Sequence, residues 1–210
     1  MLYDKDIREP LFDFLEEAYG KLRIIEEKQV GKSRADIVMV LPGLLTGIEI
    51  KSDADSYVRL SRQVKDYDRF FDRNMVVAGS SHAAHVREHA PGWWGIITVE
   101  QNDREIDFYV LRQPQENPMM NWKRKLSLLW RPELAHIQEL TAMPRYKEKS
   151  KAFVIEKILA KVPGEQLSVL VSEELFERDY TRIEEVIRAY KIQNRPELKG
   201  RTGKRKRRRP

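Results

Sequence analysis

The sequence predicts an α/β domain followed by an all-helical appendage. From residue 4 to residue 111, local patterns follow the order helix, strand, strand hairpin, helix, strand, helix, strand, strand. This alternation is typical of a sheet covered by helices. From residue 122 to residue 190 the patterns are helical throughout. A chain of 210 residues is long enough to bury one core of the usual domain size.

Individual elements are predicted from periodicity and turn residues. Residues 4–18 predict an amphipathic helix, and Pro10 favours a regular helix that begins near it, with Glu9 in a cap-like position. Residues 30–34 predict a loop, and Pro42-Gly43 predicts a tight turn. The predicted strands are 22–26, 36–41, 47–51, 75–79, 94–100 and 105–111. The other predicted helices are 55–72, 82–89, 122–130, 132–141, 150–161, 165–178 and 181–191. The core positions expected in the second helix are Val58, Leu60, Val64, Tyr67, Phe70 and Phe71.

Composition divides the chain into four parts. Residues 1–112 are predicted to form the α/β core and residues 113–121 a polar, proline-containing linker. Residues 122–194 are predicted to form the helical appendage, and residues 195–210 a disordered basic tail. The tail is expected to strengthen binding to any nucleic acid without reading its sequence. A localisation-like or solubilising role is the alternative for the tail.

Charge and composition exclude several classes of site. The net charge of +6 is concentrated in residues 191–210, which contribute +9, whereas residues 1–190 contribute −3. Cysteine is absent, so disulfides, cysteine-ligated zinc and iron–sulfur clusters are excluded. No apolar run approaches the roughly 20 residues that span a bilayer, and the charged start lacks the apolar stretch of a signal peptide. We therefore expect a cytoplasmic protein that does not contact a membrane.

The hairpin around Pro42-Gly43 collects charged residues. If its strands pair symmetrically, opposite residues have numbers that sum to 85, which places Asp36 opposite Glu49 on one face of the sheet. Lys51 shares that face by the two-residue period of a strand. Two carboxylates this close repel each other, so the arrangement favours a divalent cation between them. Oxygen ligands of this kind suit Mg²⁺.

The spacing of these residues carries a family resemblance. Asp36, followed after twelve residues by Glu49-Ile50-Lys51, resembles the core motif of the PD-(D/E)XK nuclease superfamily, with Ala35 in place of the proline that usually precedes the aspartate. Glu9 stands in the preceding helix, where many members place a further metal-binding glutamate. The resemblance covers about residues 4–100.

A second motif supports the same resemblance. Gln63 and Tyr67 match the Q-x-x-x-Y pattern of recombination-associated members, in which the glutamine approaches the metal site and the tyrosine approaches the DNA or that glutamine. Residues 33–67 and the later Trp93-Trp94-Gly95 are also similar to a group of small bacterial and phage proteins that share an "ADI…EIKSD…RQ…Y…WWG" pattern.

The resemblance implies a restriction-endonuclease-like central mixed sheet flanked by helices. It also implies a Mg²⁺-dependent endodeoxyribonuclease, in which Mn²⁺ substitutes for Mg²⁺ and the product usually carries a 5′-phosphate. Asp36, Glu49 and the backbone carbonyl of Ile50 would be metal ligands, and Glu9 would ligate directly or through water. Lys51 would orient the attacking water or stabilise the transition state.

Other polar residues near the motif are expected to contact DNA. Arg59 and Arg62 follow the site on the second helix and are candidates for phosphate contacts, although a solvated helix face explains them equally well. Ser33, Arg34, Ser52 and Asp53 flank the two site strands and are candidates for contacts with DNA or for support of the site.

The charged pair, the histidines and the tryptophans can each be explained by structural roles alone. An E-x-K sequence in a strand is commonly a solvated pair, but Ile48 and Ile50 require a core on the opposite face of the same strand. His82, His85 and His89 share one helix face and could bind zinc, with solvated histidines as the alternative. Trp93 and Trp94 are expected to be core residues, with base stacking as the alternative.

Three functions follow from these patterns. The first is the metal-dependent DNA nuclease, and the second is a non-catalytic nucleic-acid-binding module on the same fold. The third is an interaction protein that forms a homodimer through residues 122–190. Two predicted helices around a basic loop at residues 144–151 resemble small SAP-type DNA-binding motifs. The alternative is a helical appendage that packs on the core or mediates a dimer.

Overall fold

The computed structural model describes residues 2–102 and 105–179, apart from the side chains of residues 81–84. The first part of the chain comprises α1 (Asp4–Tyr19), β1 (Arg23–Val30), β2 (Ser33–Leu41), β3 (Leu44–Lys51), α2 (Leu60–Tyr67), β4 (Arg73–Gly79), α3 (Ser80–His89), β5 (Gly95–Asn102) and β6 (Glu105–Arg112). It is followed by α4 (Trp122–Ser127), α5 (Arg131–Leu140), α6 (Lys151–Lys161) and α7 (Gly164–Phe176). The predicted helix 181–191 and the predicted disordered tail 195–210 lie outside the described residues.

The six strands form one mixed sheet in the order in which they occur in the chain. Strands β1, β2 and β3 are antiparallel neighbours, β3, β4 and β5 are parallel, and β6 is antiparallel to β5. Helices α2 and α3 connect the parallel strands, because parallel neighbours need a crossover. The predicted α/β class and the mixed sheet are therefore confirmed.

Alternate residues of the strands build two separate cores. On one face Ile37, Ile48 and Ile50 pack with residues of α1, including Ile7 and Leu11. On the other face Leu45 of β3 and Val76 and Ala78 of β4 cluster with residues of α2, α3 and the helices that follow the sheet. The central strands β3 and β4 are therefore buried on both faces, and charged side chains within them need specific partners.

Gly47 of β3 permits the close approach of α2. A Cβ atom at this position would lie 2.3 Å from the ring of Phe71 and 2.8 Å from that of Tyr67, and both rings are fully buried. A glycine inside a strand commonly marks such an approach of a neighbouring group. The absence of a side chain here brings Tyr67 directly under the charged end of β2 and β3.

The segment predicted to be a linker lies against the body of the protein. The side chain of Asn117 donates to the carbonyls of Asp68 and Phe71, at 2.8 and 2.7 Å, and its backbone N–H donates to the carbonyl of Asp72. Residues 1–177 form one compact unit, and helices α4–α7 contribute to the same core cluster as the sheet. The four predicted helices between residues 122 and 178 are confirmed with shifted ends.

Three local predictions need correction. The first helix begins at Asp4, well before Pro10, because burial of Ile7 anchors its first turns. The predicted loop 30–34 is a two-residue turn between β1 and β2. The predicted helix 55–72 is a 3-10 turn (Tyr57–Arg59) followed by the short α2, and Val58, which was expected in the core, is 85% exposed.

No helix in the part of the chain that the structure describes is both long and apolar enough to cross a bilayer.

Candidate functional site

A cleft of about 430 Å³ lies beside the charged ends of β2 and β3. Residues from α1, the three antiparallel strands, the β3–α2 connection and α2 line it. These residues are Asp4, Arg8, Glu27, Lys32, Ser33, Arg34, Asp36, Glu49, Ile50, Lys51, Asp55, Arg59, Arg62 and Gln63. Glu49 and Lys51 are almost completely buried, whereas Arg59 and Arg62 are exposed. The cleft therefore has a buried charged base and exposed arginines at its rim, beside the acidic Asp4, Glu27 and Asp55.

The hairpin register is the one predicted from the turn. Leu41 pairs with Leu44 and Ile37 pairs with Ile48, so the numbers of opposite residues sum to 85. Asp36 and Glu49 are the next positions along the two strands. At these positions a side chain replaces a backbone acceptor: the Oδ2 atom of Asp36 accepts a hydrogen bond from the backbone N–H of Ile50 at 2.8 Å.

Glu49 is held by three donors from two elements. The Lys51 ammonium lies 2.5 Å from Oε1, and the Gln63 amide donates to the same oxygen. The Tyr67 hydroxyl donates to Oε2 at 2.5 Å. Lys51 also donates to the side-chain oxygen of Gln63 at 3.2 Å. The structure therefore brings Asp36, Glu49, Lys51 and Gln63 together, as the motif predicts, and their chemical roles remain predictions.

Burial and the negative charge of Glu49 together raise the pKa of Asp36 to about 7. The hydrogen bond from Ile50 and the charge of Lys51 oppose this rise. A carboxyl group with this pKa is close to half protonated at neutral pH. The base of the cleft consequently favours added positive charge near Asp36.

The raised pKa predicts how stability depends on pH. Between the ordinary aspartate pKa of about 4 and about 7, the folded protein binds more protons at Asp36 than the unfolded chain. The free energy of unfolding, measured in denaturant titrations with chelator present, should therefore fall as the pH rises through this window. Asp36→Asn should flatten that part of the profile. A variant profile that parallels the wild type would show that Asp36 ionises normally.

Tyr67 supports both carboxylates and does not reach solvent. It is fully buried, and its hydroxyl accepts a hydrogen bond from the backbone N–H of Asp36 at 3.2 Å while donating to Glu49. Burial and the nearby carboxylates raise the pKa of Tyr67, so the phenol keeps its proton. The expectation that Tyr67 approaches DNA is wrong, because the ring lies beneath the site.

Removing this hydroxyl should destabilise the protein measurably. Tyr67→Phe leaves the N–H of Asp36 and one oxygen of Glu49 without this partner in a buried place, which typically costs about 1–3 kcal/mol. Chemical denaturation of the variant would measure the loss. The exposed Tyr109 offers the matched Tyr109→Phe control, which should change stability by well under 1 kcal/mol, roughly the size of surface effects. Equal losses in the two variants would contradict the described role of Tyr67.

An ion-pair network forms one wall of the cleft. Arg8 of α1 lies 2.8 Å from Asp4, 3.0 Å from Glu26 and 2.6 Å from Glu27, and it donates to the backbone carbonyl of Asp36 at 3.4 Å. Glu27 has a positive φ of 53°. Such a conformation is uncommon outside glycine and often occurs at functional sites. The regular pairing of β1 with β2 skips this position. Arg8 instead joins the two strands there, through Glu27 of β1 and the backbone carbonyl of Asp36 of β2.

Glu9 is not part of the cleft, contrary to the prediction. It is exposed on α1, whereas Asp4 and Arg8 are the residues of that helix that line the cleft. Residues four apart share a helix face and Glu9 is one position further, which explains the error. The acidic residue that α1 contributes is therefore Asp4.

The predicted DNA-contacting residues divide into two groups. Arg34, Arg59 and Arg62 line the cleft with exposed side chains, and Arg34 forms an ion pair with Glu27 at 2.5 Å. Ser33 also lines the cleft, but it is buried and donates to Asp66 at 2.7 Å. Ser52 is buried, is absent from the lining, and donates to Asp55 at 2.7 Å, so its predicted contact with DNA is not supported.

The other candidate sites have structural explanations. Trp94 is fully buried, and the indole N–H groups of Trp93 and Trp94 donate to Asp68 at 3.2 and 2.7 Å. Their predicted place in the core is confirmed for Trp94. His89 stacks on Tyr57 with ring centroids 4.7 Å apart, and the side chain of His82 lies outside the description.

The oxygen donors of the cleft fit a hard divalent cation with two protein carboxylates. Among the described residues no group of three or more acidic, histidine or cysteine side chains is arranged around one point. Asp36 and Glu49 are the carboxylates at the base, and Ile50 lines the same cleft. Mg²⁺ commonly binds one or two carboxylates and takes its other ligands from water and substrate phosphates, and Mn²⁺ accepts the same donors.

Comparison with known proteins identifies a phage family. A family model described as Bacteriophage P4 protein cII matches residues 1–195, which is most of the chain. Protein cII of Enterobacteria phage P4 is 27% identical over 101 residues, which cover 48% of this chain and 38% of that protein. The matched region thus spans well under half of the relative's length.

Comparison with solved structures gives a distant similarity. Pyrococcus furiosus SfsA in complex with Ca²⁺ shares 16% sequence identity over 53% of this chain and 62% of that chain, with a TM-score of 0.33. A similarity at this level carries no argument about fold or function.

Proposed function

We propose that this chain, which belongs to the Bacteriophage P4 protein cII family, is a divalent-cation-dependent nuclease that hydrolyses DNA phosphodiester bonds. The observation that carries the proposal is the position of Asp36, Glu49 and Lys51 at the buried base of a cleft with exposed arginines at its rim. The proposal also assigns the mixed sheet to the restriction-endonuclease-like fold of the PD-(D/E)XK nucleases.

Asp36 and Glu49, with the backbone carbonyl of Ile50, would hold Mg²⁺. The bound ion would supply Lewis-acid chemistry at the scissile phosphate. The raised pKa of Asp36 supports this assignment, because a cation would offset both the burial of this carboxyl group and its repulsion by Glu49. Gln63 and Tyr67 would keep the carboxylate of Glu49 in one orientation through their hydrogen bonds.

Lys51 is positioned to act on the reacting phosphate. Its ammonium has three N–H donors, and the described contacts to Glu49 and Gln63 use two of them. The third can donate to a water molecule or to a phosphate oxygen in the cleft. Water would attack the phosphorus, the bond to the 3′ oxygen would break, and the products would carry a 5′-phosphate and a 3′-hydroxyl group.

The exposed arginines at the rim of the cleft support a nucleic-acid substrate. Arg59 and Arg62 lie three residues apart around the start of α2 with exposed side chains, and Arg34 is 65% exposed at its side chain. Guanidinium groups pair well with phosphate oxygens and position a duplex without reading its bases. The rim would therefore guide the backbone of DNA toward the carboxylates.

A non-catalytic nucleic-acid-binding module is the second candidate. It is favoured by the surroundings of Glu49, both of whose oxygens accept hydrogen bonds from Lys51, Gln63 or Tyr67. This candidate predicts salt-sensitive binding to DNA with no turnover in the presence of Mg²⁺ or Mn²⁺.

Incubation of the full chain with nucleic acid separates the two candidates. Linear, closed circular and single-stranded DNA would each be mixed with protein in Mg²⁺, in Mn²⁺ and in chelator. We expect cleavage with either cation and none with chelator, and cleavage of the closed circle would establish endonuclease action. Intact DNA in every reaction, together with retained binding, would overturn the nuclease proposal in favour of the binding module.

A further inference from the structure

Positive charge is concentrated on the first three helices after the sheet. Residues 122–161 contain ten lysines and arginines and four acidic residues, a net charge of +6. Residues 162–177 contain four acidic residues and no lysine or arginine. Lys125 is buried and paired with Asp72, which leaves a net charge of +5 over the rest of residues 122–161, and like charges repel each other. This segregation therefore suggests a partner of opposite charge at α4–α6.

A groove of about 600 Å³ lies within this basic region. Lys123 and Arg124 of α4 and Lys151 of α6 line it, together with the acidic Glu156. Lys151 is fixed by a 2.7 Å hydrogen bond to the backbone carbonyl of Ser127. The ion pair between Lys123 and Glu156 has a separation of 2.9 Å, but its side chains are 63% and 60% exposed. Water screens such a pair, so a phosphate group can replace Glu156.

The loop that leads into this groove is held in place by named contacts. Arg131 donates to the backbone carbonyls of Tyr146 and Lys149, at 2.5 and 3.1 Å. The ring of Tyr146 meets that of Phe153 edge to face, with centroids 5.3 Å apart. Lys147 projects from this anchored loop into solvent. A basic loop that is already ordered loses less conformational entropy when it binds.

We propose that the groove between α4 and α6, together with the loop before α6, binds the phosphate backbone of nucleic acid. The inference rests on the proposed function for its ligand, DNA, and adds a second contact surface distinct from the cleft. Because lysine and arginine contacts to phosphate carry no sequence information, this surface holds the duplex while the cleft acts on it.

Salt-dependent binding tests the proposal with a charge-matched pair of variants. Lys123→Gln/Arg124→Gln removes two exposed cations from the groove, and Lys21→Gln/Arg87→Gln removes two exposed cations elsewhere. Both variants keep the full chain and have the same net charge. Fluorescence anisotropy with a short duplex in chelator, over a range of salt concentrations, gives the slope of log affinity against log salt. If both groove cations contact phosphates, the slope becomes shallower by about two in the groove variant and stays at the wild-type value in the control.

The outcomes separate this inference from the proposed function. A slope and an affinity equal to those of the control variant would overturn the groove as a DNA-binding surface, whatever the cleavage activity. A shallower slope in a protein that never cleaves DNA would support the groove and contradict the nuclease. Retained cleavage with an unchanged slope would support the nuclease and contradict the groove as a DNA-binding surface.

Discussion

Asp36→Asn is expected to lower the rate of DNA cleavage by on the order of a hundredfold or more, while the folded protein stays at least as stable at neutral pH. Asparagine keeps an oxygen that can accept the hydrogen bond from Ile50. It removes the buried carboxylate whose pKa is raised by burial and by Glu49. An amide has no negative charge with which to hold a cation. Steady-state cleavage in Mg²⁺ and thermal unfolding of the same sample measure the two effects.

The control for this variant is a carboxylate outside the cleft. Asp13 is exposed on α1, so Asp13→Asn makes the same chemical change where no site role is proposed. Its cleavage rate and midpoint of unfolding should match the wild type. Wild-type cleavage in Asp36→Asn would contradict the proposed role of this carboxylate. A large loss of stability would instead show that the carboxylate is structural.

Asp72→Ala should produce the largest loss of stability. Lys125 is fully buried, and its ammonium lies 2.7 Å from both oxygens of Asp72. Asp72 also accepts a hydrogen bond from the backbone N–H of Leu45 at 2.7 Å, so the pair joins α4 to the sheet. Burial lowers the pKa of Lys125, and Asp72 opposes that shift. Removing one partner of a buried ion pair typically costs about 3–5 kcal/mol, which denaturant titration would detect.

Two further variants test the explanation of this loss. Lys125→Met in the Asp72→Ala background removes the unpaired charge and should recover part of the stability, because an apolar side chain of similar size can occupy the space. Glu156→Ala breaks the exposed pair with Lys123 and should cost less than about 1 kcal/mol. A double variant no more stable than Asp72→Ala would contradict the idea that the unpaired ammonium is the cause.

The sequence predicts well which residues β2 and β3 contribute to the site, because side chains alternate along a strand with a short, regular period. The turn at Pro42-Gly43 and the alternation of β3 determine that Asp36, Glu49 and Lys51 share one region, and the pairs Ile37–Ile48 and Leu41–Leu44 agree with that register. Neighbouring residues on a strand point to opposite faces. A local pattern is then sufficient to place a side chain.

The residues that α1 and α2 contribute to the site are harder to predict, because they depend on which face of each helix packs on the sheet. The choice between Glu9 and Asp4 depends on which face of α1 meets the sheet, and burial of Ile7 and Leu11 determines that face. The place of Tyr67 under Glu49 requires the missing side chain of Gly47. That contact joins residues far apart in the chain, and no local pattern signals it.

The ion pairs of Arg8 are not predictable from the sequence for a similar reason. Their acidic partners Glu26 and Glu27 are adjacent in β1, where strand alternation predicts opposite directions. The positive φ of Glu27 lets both carboxylates reach one guanidinium. The adjacent glutamates Glu26 and Glu27 of β1 are only a weak sequence signal for a shared cationic partner. The signal can be interpreted only once the backbone conformation of Glu27 is known.

Cleavage of closed circular DNA by wild type, Lys51→Met and Lys65→Met in Mg²⁺ tests the central claim most directly. Lys51 is buried at the base of the cleft and contacts Glu49, whereas Lys65 is exposed on α2, so the same substitution is made inside and outside the proposed site. The nuclease assignment predicts nicked circles with wild type and Lys65→Met, and intact circles with Lys51→Met in a sample that remains folded. Equal cleavage by all three proteins, or cleavage by none, would contradict it.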